Sequence, residues 1–324
     1  MAKKKTARYI PWWKESWGKL LFLVLLAAFV VLSPGQNIYL MARGLEEHVL
    51  PPWPVPIPTP APYPVNITGV YPGPEVSATG VVVLDIDSGV YLYKRNETIE
   101  LSPASTTKLL TALVAIDNYN LDDVVTIKRM NIDGQSMGLV PGEQITVENL
   151  LYGALIYSGN DAAWALSEYY PGGEPKFVEA MNAKAKELHL IHSTFTNPVG
   201  YDDLSHKMTP LDLALLGEAA LDNKTIAKMV AIPEITISDV THTYFHQLKN
   251  VNELLGKIPG VGGIKTGWTE EAGENLITLV ERSGHRVITV VLHSQNRFGD
   301  TSKLIDWIFW NYQWREFNGA TAGT

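Results

Sequence analysis

The chain has 324 residues, 46% of them hydrophobic and 19% charged, with a formal net charge of -8. These values describe a globular protein with a sizeable core and argue against a nucleic-acid partner held by bulk positive charge. There is no cysteine, which removes disulfides, thiolate nucleophiles and cysteine-based zinc sites but leaves the compartment open.

In chain order, residues 1–19 form a basic arm, with Lys3, Lys4, Lys5, Arg8, Lys14 and Lys19 against Glu15. Leu20 to Leu32 (LLFLVLLAAFVVL) then has no polar residue, a run of roughly 13 that is short for a spanning helix and suits a signal-peptide core. The basic arm and the interface-favouring Trp12, Trp13 and Trp17 point instead to an uncleaved signal anchor over residues 20–41, in contact with the lipid bilayer. A cleaved signal, with Ser33-Pro34-Gly35 as a weak site, and a buried core helix are the other readings. In the first two the arm stays cytoplasmic and the remainder is exported. PPWPVPIPTPAPYP, residues 51–64, favours extended polyproline II, so residues 42–76 read as a semi-rigid stalk rather than a ligand for a proline-binding domain.

The folded domain is expected over residues 77–316, followed by a tail, 317–324. GVVVLDIDSGVYLYKRN (Gly80 to Asn96) predicts two strands joined at Asp87-Ser88-Gly89. Ser102 to Asp117 predicts a helix with Ser102 as N-cap and Pro103 at its first position. Helices are predicted at Val147–Tyr157, Asp161–Tyr170, Glu174–Leu188 and Leu211–Leu221, then strands at Gly263–Trp268, Leu276–Glu281 and Arg286–His293, and a closing helix at Asp300–Trp314. Strands, then helices, then strands and a helix give an α+β fold: a sheet built from both chain ends with a helical insertion between them.

Within SPASTTKLLTALVAI, Lys108 is the only charged residue of a helix apolar nearly all round. Such a helix is usually buried, and burial lowers a lysine's pKa until it can act as a base. Ser105 lies three residues earlier on the same face, where it can serve as a nucleophile. A surface lysine snorkelling off a core helix is the alternative, since S-x-x-K by itself is common. Ser158-Gly159-Asn160 presents a hydroxyl and a carboxamide between two helices, or is an ordinary capping loop. Lys265-Thr266-Gly267, with glycines at 262 and 263, lies on a strand that another backbone can approach, with a lysine and a threonine to hold a terminal carboxylate. It is not a phosphate-binding loop, because Ile264 stands where that loop needs glycine.

S-x-x-K, S-x-N and K-T-G in that order, separated by roughly 50 and 110 residues, resemble the signature of the penicillin-recognising serine hydrolases. The phrases LLYGALIYSGNDAAWALSE, FVEAMNAKAKELHL, STFTNPVG and GIKTGWTEEAGENLITLV are similar to the D-alanyl-D-alanine carboxypeptidases, the low-molecular-mass penicillin-binding proteins, over about Ser77 to Trp314. The resemblance implies a β-lactamase/transpeptidase-like fold, peptidoglycan stem peptides as substrate, β-lactam antibiotics as inhibitors and no cofactor or metal. It implies Ser105 as nucleophile, Lys108 as base, Ser158 as proton relay and Asn160 as an orienting group. Lys265, Thr266, Gly267 and Arg297 would bind substrate, and the Ser105 and Trp268 backbone N–H groups would form the oxyanion hole. Two departures stand out. Val199-Gly200-Tyr201 follows Asn197-Pro198 where the family usually has Gly-Leu, and nothing after Trp314 matches the β-domain and amphipathic anchor of many relatives. Anchoring is therefore expected from the N-terminal segment. A DD-endopeptidase, a β-lactamase and a non-catalytic wall-binding module are the alternatives, although class A β-lactamases would carry S-D-N.

Three other features carry less. Gly134-Gln135-Ser136-Met137-Gly138 fits the nucleophile elbow G-x-S-x-G, but Pro141-Gly142 break the helix that must follow; by resemblance this loop borders the active site. His189 and His192 suit surface or capping roles better than a metal site. Trp307, Phe309, Trp310, Tyr312 and Trp314 suit packing on the sheet better than a membrane interface.

Overall fold

The computed structural model describes residues 12–32, 61–128 and 132–316. The chain divides into two compact units, Met1–Pro58 and Thr59–Thr324. In the first, α1 (Trp12–Leu32) is a 21-residue helix whose described apolar side chains, among them Leu21, Phe22 and Phe29, are exposed. No helix among the described residues is long and apolar enough to cross a membrane. Most of the basic arm, Ser33-Pro34-Gly35, the proline-rich run up to residue 60 and the tail lie outside the described residues.

The second unit is built on a five-stranded antiparallel sheet. Its strands are β2 (Gly80–Asp85), β3 (Val90–Arg95), β8 (Val261–Thr269), β9 (Gly273–Arg282) and β10 (His285–Ser294), in the order β3-β2-β10-β9-β8. Strands from both ends of the unit thus meet at β2 and β10, where Val83 faces Thr289. Both faces of the sheet are covered, and this is why VVVL shows no polar alternation. Val81 and Val83 pack with Leu304, Ile305 and Ile308 of the last helix, α8 (Arg297–Asn311). Val82 and Leu84 point the other way, into a second cluster with Leu213 and Leu216 of α6 (Pro210–Asp222).

That second cluster is the core of a helical insertion. At its centre lies α2 (Lys108–Asn118), buried from Lys108 through Ala115 and surrounded by α3 (Val147–Leu155), α4 (Asn160–Tyr169) and α5 (Gly173–Glu187). The α+β architecture expected from sequence is the one observed.

Local boundaries differ from expectation in three places. Ser102 is not an N-cap. Ala104–Thr107 forms a 3-10 turn ahead of α2, capped at Pro103, and the Ser102 hydroxyl donates to Glu271 instead at 2.9 Å. The closing helix ends at Asn311, and Tyr312–Arg315 is a strand, β11. It pairs with β1 (Tyr63–Asn66), inside the segment read as stalk. A proline at position 64 is tolerated because this is a two-stranded edge ribbon.

Four short strands and one helix have no counterpart among the sequence expectations. They are β4 (Val124–Thr126) with β5 (Gln144–Thr146), β6 (Glu234–Ser238) with β7 (Phe245–Lys249), and α7 (Lys224–Val230). The aromatics of α8 mostly pack: Trp307 is buried and Phe309 stacks on Trp314, whereas Trp310 is 75% exposed.

Candidate active site

Sheet and insertion meet along an open cleft of about 710 Å3, lined by Ser105, Ser158, Asn160, Thr266, Trp268 and Arg297 among others. Three local structures bring these residues together.

The first is the 3-10 turn that carries Ser105. Ala104 has φ +49, so the backbone reverses just before the serine. The turn is pinned from several sides. Asn275 donates to the Ser102 carbonyl at 2.9 Å, and Thr106 Oγ1 donates to the Pro103 carbonyl at 2.7 Å. Thr107 Oγ1 lies 2.9 Å from His206 Nε2. His206 Nδ1 accepts the Thr196 N–H, so the hydrogen sits on Nε2 and points at Thr107. Burial pushes the His206 imidazole down to about 4, which keeps it in this neutral form. Gly200 and Gly267 crowd the turn from either side. A Cβ on Gly200 would sit 1.9 Å from the Ala104 carbonyl oxygen, and one on Gly267 would sit 2.9 Å from the Pro103 oxygen. Both glycines are required by this close approach.

Lys108 opens α2 with no exposed surface. Its Nζ is 2.7 Å from Ser105 Oγ and donates to the Val199 carbonyl, also at 2.7 Å. Burial holds the ammonium well below the ordinary lysine range, the Lys265 charge pushes it further down, and Asp161 opposes them. A neutral amine here keeps its donor to Val199 and offers its lone pair to the serine hydroxyl.

The second structure is the turn between α3 and α4. Ser158 has φ +64, and Asn160 begins α4 with its Nδ2 donating to the Asp133 carbonyl at 2.7 Å. The third is β8. Lys265, 2% exposed, donates to Ser158 Oγ at 2.7 Å and to the Thr266 carbonyl at 3.0 Å. Burial, then the Arg297 charge, lowers its pKa to about 7. Arg297, the first residue of α8, donates through Nη1 to the Gly267 carbonyl at 2.9 Å, while its backbone N–H donates to Glu274 at 2.8 Å. Its buried Nε has no partner among the described residues, and the side chain lines the cleft, where a guanidinium suits an anion. Trp268, 63% exposed, stands at the mouth.

All nine residues singled out from sequence therefore gather at one place. Sequence reasoning did not find the Val199 carbonyl, the Asp161 carboxylate or Tyr201. Val199 acts through its backbone, which side-chain patterning cannot reveal. Asp161 adjoins Ser158-Gly159-Asn160, and that adjacency was the available signal. Its carboxylate accepts from Ser136 Oγ at 2.6 Å and from the Met137, Gly138 and Leu139 N–H groups at 3.0, 3.0 and 3.1 Å. The G-x-S-x-G loop is thus a wall of the cleft, with Gly134 and Gln135 lining it and its serine turned inward onto a carboxylate. Histidine roles are local as well: His192 donates its backbone N–H to Asp212 at 2.9 Å, and His189 has left-handed backbone just past the end of α5.

The D-alanyl-D-alanine carboxypeptidase family model matches residues 68–296. The chain is similar to the D-alanyl-D-alanine carboxypeptidase DacF of Bacillus subtilis, 35% identical over 73% of this chain and 63% of that protein. It therefore spans less than two thirds of that relative's length. It is also similar to a D-alanyl-D-alanine endopeptidase of Pseudomonas aeruginosa, 32% identical over 72% of this chain and 78% of the relative. Among solved structures, the Streptomyces K15 DD-transpeptidase superposes with a TM-score of 0.70 at 32% identity, covering 74% of this chain and 99% of that one. With more than half of its residues matched by the family model and the fold matched along nearly the whole of a solved member, the chain belongs to the D-alanyl-D-alanine carboxypeptidase family.

Proposed function

We propose that the protein is a serine-type D-Ala-D-Ala carboxypeptidase that removes the terminal D-alanine of peptidoglycan stem pentapeptides through an acyl-enzyme. The observation that carries this is the pair of buried lysines, each 2.7 Å from the hydroxyl of a serine that lines one open cleft. Neutral Lys108 takes the Ser105 proton as Oγ attacks the carbonyl between the two D-alanines. The oxyanion is held by the Ser105 and Trp268 backbone N–H groups. Asn160 orients the substrate amide, and Lys265, Thr266 and Arg297 hold the terminal carboxylate. As the C–N bond breaks, the proton passes from Lys108 through Ser158 to the departing amine. Water then adds to the ester, its proton returning through Lys108, and free Ser105 is restored.

Fluorescent penicillin tests the reading on the full chain. Stable labelling that disappears in Ser105→Ala supports it, and absence of labelling defeats it. Rapid turnover of the label would mark a β-lactamase instead. One relative bears the name of an endopeptidase, so the second reading is cleavage of cross-links at the same site. D-alanine release from a pentapeptide, set against cleavage of a cross-linked dimer, decides between them.

We infer also that the unit works on the outer face of the cell membrane, delivered there by the apolar N-terminal segment. The basic arm and the exposed apolar side chains of α1 support this. The roughly 13-residue apolar core suits a signal better than a span. Sequencing the mature N-terminus of the membrane and released fractions tells a retained anchor from a removed signal.

A further inference from the structure

One buried polar pair plays no part in the chemistry above. His246 on β7 and Glu143 before β5 are 7% and 2% exposed. His246 Nε2 lies 2.7 Å from Glu143 Oε1, and Nδ1 lies 3.1 Å from the Met137 carbonyl oxygen. The Met137 carbonyl can only accept, so Nδ1 carries a hydrogen, and Nε2 shares the hydrogen of its bond with the Glu143 carboxyl group. The other Glu143 oxygen accepts the Val140 N–H at 2.9 Å.

Together the two side chains close the account of the loop that walls the cleft. The loop from residue 132 to 143 has no regular structure, so those of its backbone groups that find no backbone partner need side chains. From the α4 side, Asp161 takes three N–H groups. From the β7 side, His246 takes a carbonyl and Glu143 a fourth N–H. The Met137 side chain seats against α3, where a Cβ on Gly153 would meet its sulfur at 2.2 Å. The front of the same loop carries Asp133, Gly134 and Gln135 into the cleft. It is joined to Asn160, which donates Nδ2 to the Asp133 carbonyl and N–H to the Gln135 carbonyl, both at 2.7 Å. Tyr201 donates its hydroxyl to the same Asp133 carbonyl at 2.8 Å. The residues that would grip the terminal carboxylate stand on β8 and α8 and have no contact with this pair among the described bonds.

We propose that His246, paired with Glu143, is a positioning residue that holds the Asp133–Gln135 wall and thereby sets affinity for the peptide upstream of the scissile bond. This rests on the peptidase reading of the cleft. A small β-lactam needs Ser105, Lys108 and the carboxylate grip, whereas a pentapeptide also extends along the wall. Losing the pair therefore weakens the peptide and spares acylation by penicillin.

The test uses the full chain and the double variant His246→Phe/Glu143→Gln, which leaves the Met137 carbonyl unpartnered without burying a lone carboxylate. Its KM for a D-Ala-D-Ala pentapeptide is expected to rise about tenfold, with kcat and the fluorescent-penicillin labelling rate within about twofold of wild type. Glu143→Gln alone is the conservative rescue. Its amide oxygen takes Val140, its amide nitrogen donates to Nε2 of a neutral imidazole, and Nδ1–H keeps Met137; KM should stay within about twofold. An unchanged KM in the double variant overturns the proposal. So does a parallel fall in labelling, which would make the pair a support of the whole site. If thermal melting shows the double variant unfolded, His246→Gln, which reaches one acceptor at a time, should raise KM about threefold, and no rise overturns the proposal. A wild-type chain that neither labels nor releases D-alanine would defeat the peptidase reading itself, a result visible before any variant is made.

Discussion

Lys108 and Lys265 are both fully enclosed, and each sets its Nζ 2.7 Å from a serine oxygen, yet they are made in opposite ways. Lys108 meets Ser105 three residues away, within one turn of chain. Lys265 meets Ser158 across 107 residues, from a strand to a helix junction. Their surroundings differ too. Lys108 gives a hydrogen to the Val199 carbonyl and feels Asp161, whereas Lys265 stands beside Arg297. A local pair can be tuned by the helix that contains it. A long-range pair exists only if sheet and insertion dock correctly, so it doubles as a reporter of that docking.

If the two lysines have the roles proposed, their removal should differ in kind. Lys108→Met removes the base, and the penicillin labelling rate should fall about 10^3-fold with little change in peptide affinity. Lys265→Met should cost less in rate, on the order of 10–100-fold, and should raise KM by loosening the carboxylate grip. Equal rate losses with equal KM would break the distinction.

The shared wall between the two regions can be attacked by steric means. Gly200 has φ +88 and faces the Ala104 carbonyl at a distance no side chain tolerates. Gly200→Ala should destabilise the fold by about 1–3 kcal/mol in urea titration and slow labelling, because relief requires moving the turn that carries Ser105.

Protonation sharpens the comparison. Lys265 binds its proton more weakly folded, near 7, than unfolded, near about 10.4. Between those values the unfolded chain holds more protons, so stability rises with pH across that window and the gain is complete above it. Urea midpoints at pH 7 and pH 10 should show this rise, and Lys265→Met should flatten it. Lys108, whose pKa is likewise lowered by burial, adds in the same direction, and the labelling rate should also rise with pH as Lys108 loses its proton. A rate that falls with rising pH over that range would remove Lys108 as base.

The smallest effect is expected behind the local pair. Thr107→Val leaves the His206 Nε2–H without its partner, at a cost of about 1–2 kcal/mol in urea titration. Labelling should stay within about threefold of wild type, since Thr107 faces away from the serine.

Much of the site was legible because its chemistry is written in short segments. An isolated lysine in an apolar helix, a serine one turn before it, and the S-x-N and K-T-G tripeptides need no contact map to be noticed. The five main strands and most helices were legible from runs of β-branched residues and from helical periodicity. The elements that escaped, such as β6 with β7 and the 3-10 turn at Ser105, are short or strained, and neighbours rather than propensity decide them. EITIS and FHQLK become strands by pairing with one another. Ser102 resembles a cap in sequence, but Glu271 and Lys207, 169 and 105 residues away, claim its hydroxyl.

The order of the motifs, the apolar setting of Lys108 and the α+β succession of elements were determined by the sequence alone, because local chemistry and periodicity suffice for them. Tertiary structure decided the rest. It decided that Lys265 and Arg297 share a field, that a backbone carbonyl at Val199 holds the proposed base, and that the G-x-S-x-G serine spends its hydroxyl on Asp161. Each of these depends on which groups are buried together. Burial, by stripping water from charges and leaving backbone polar groups in need of partners, is a property of the packed chain and not of any segment of it.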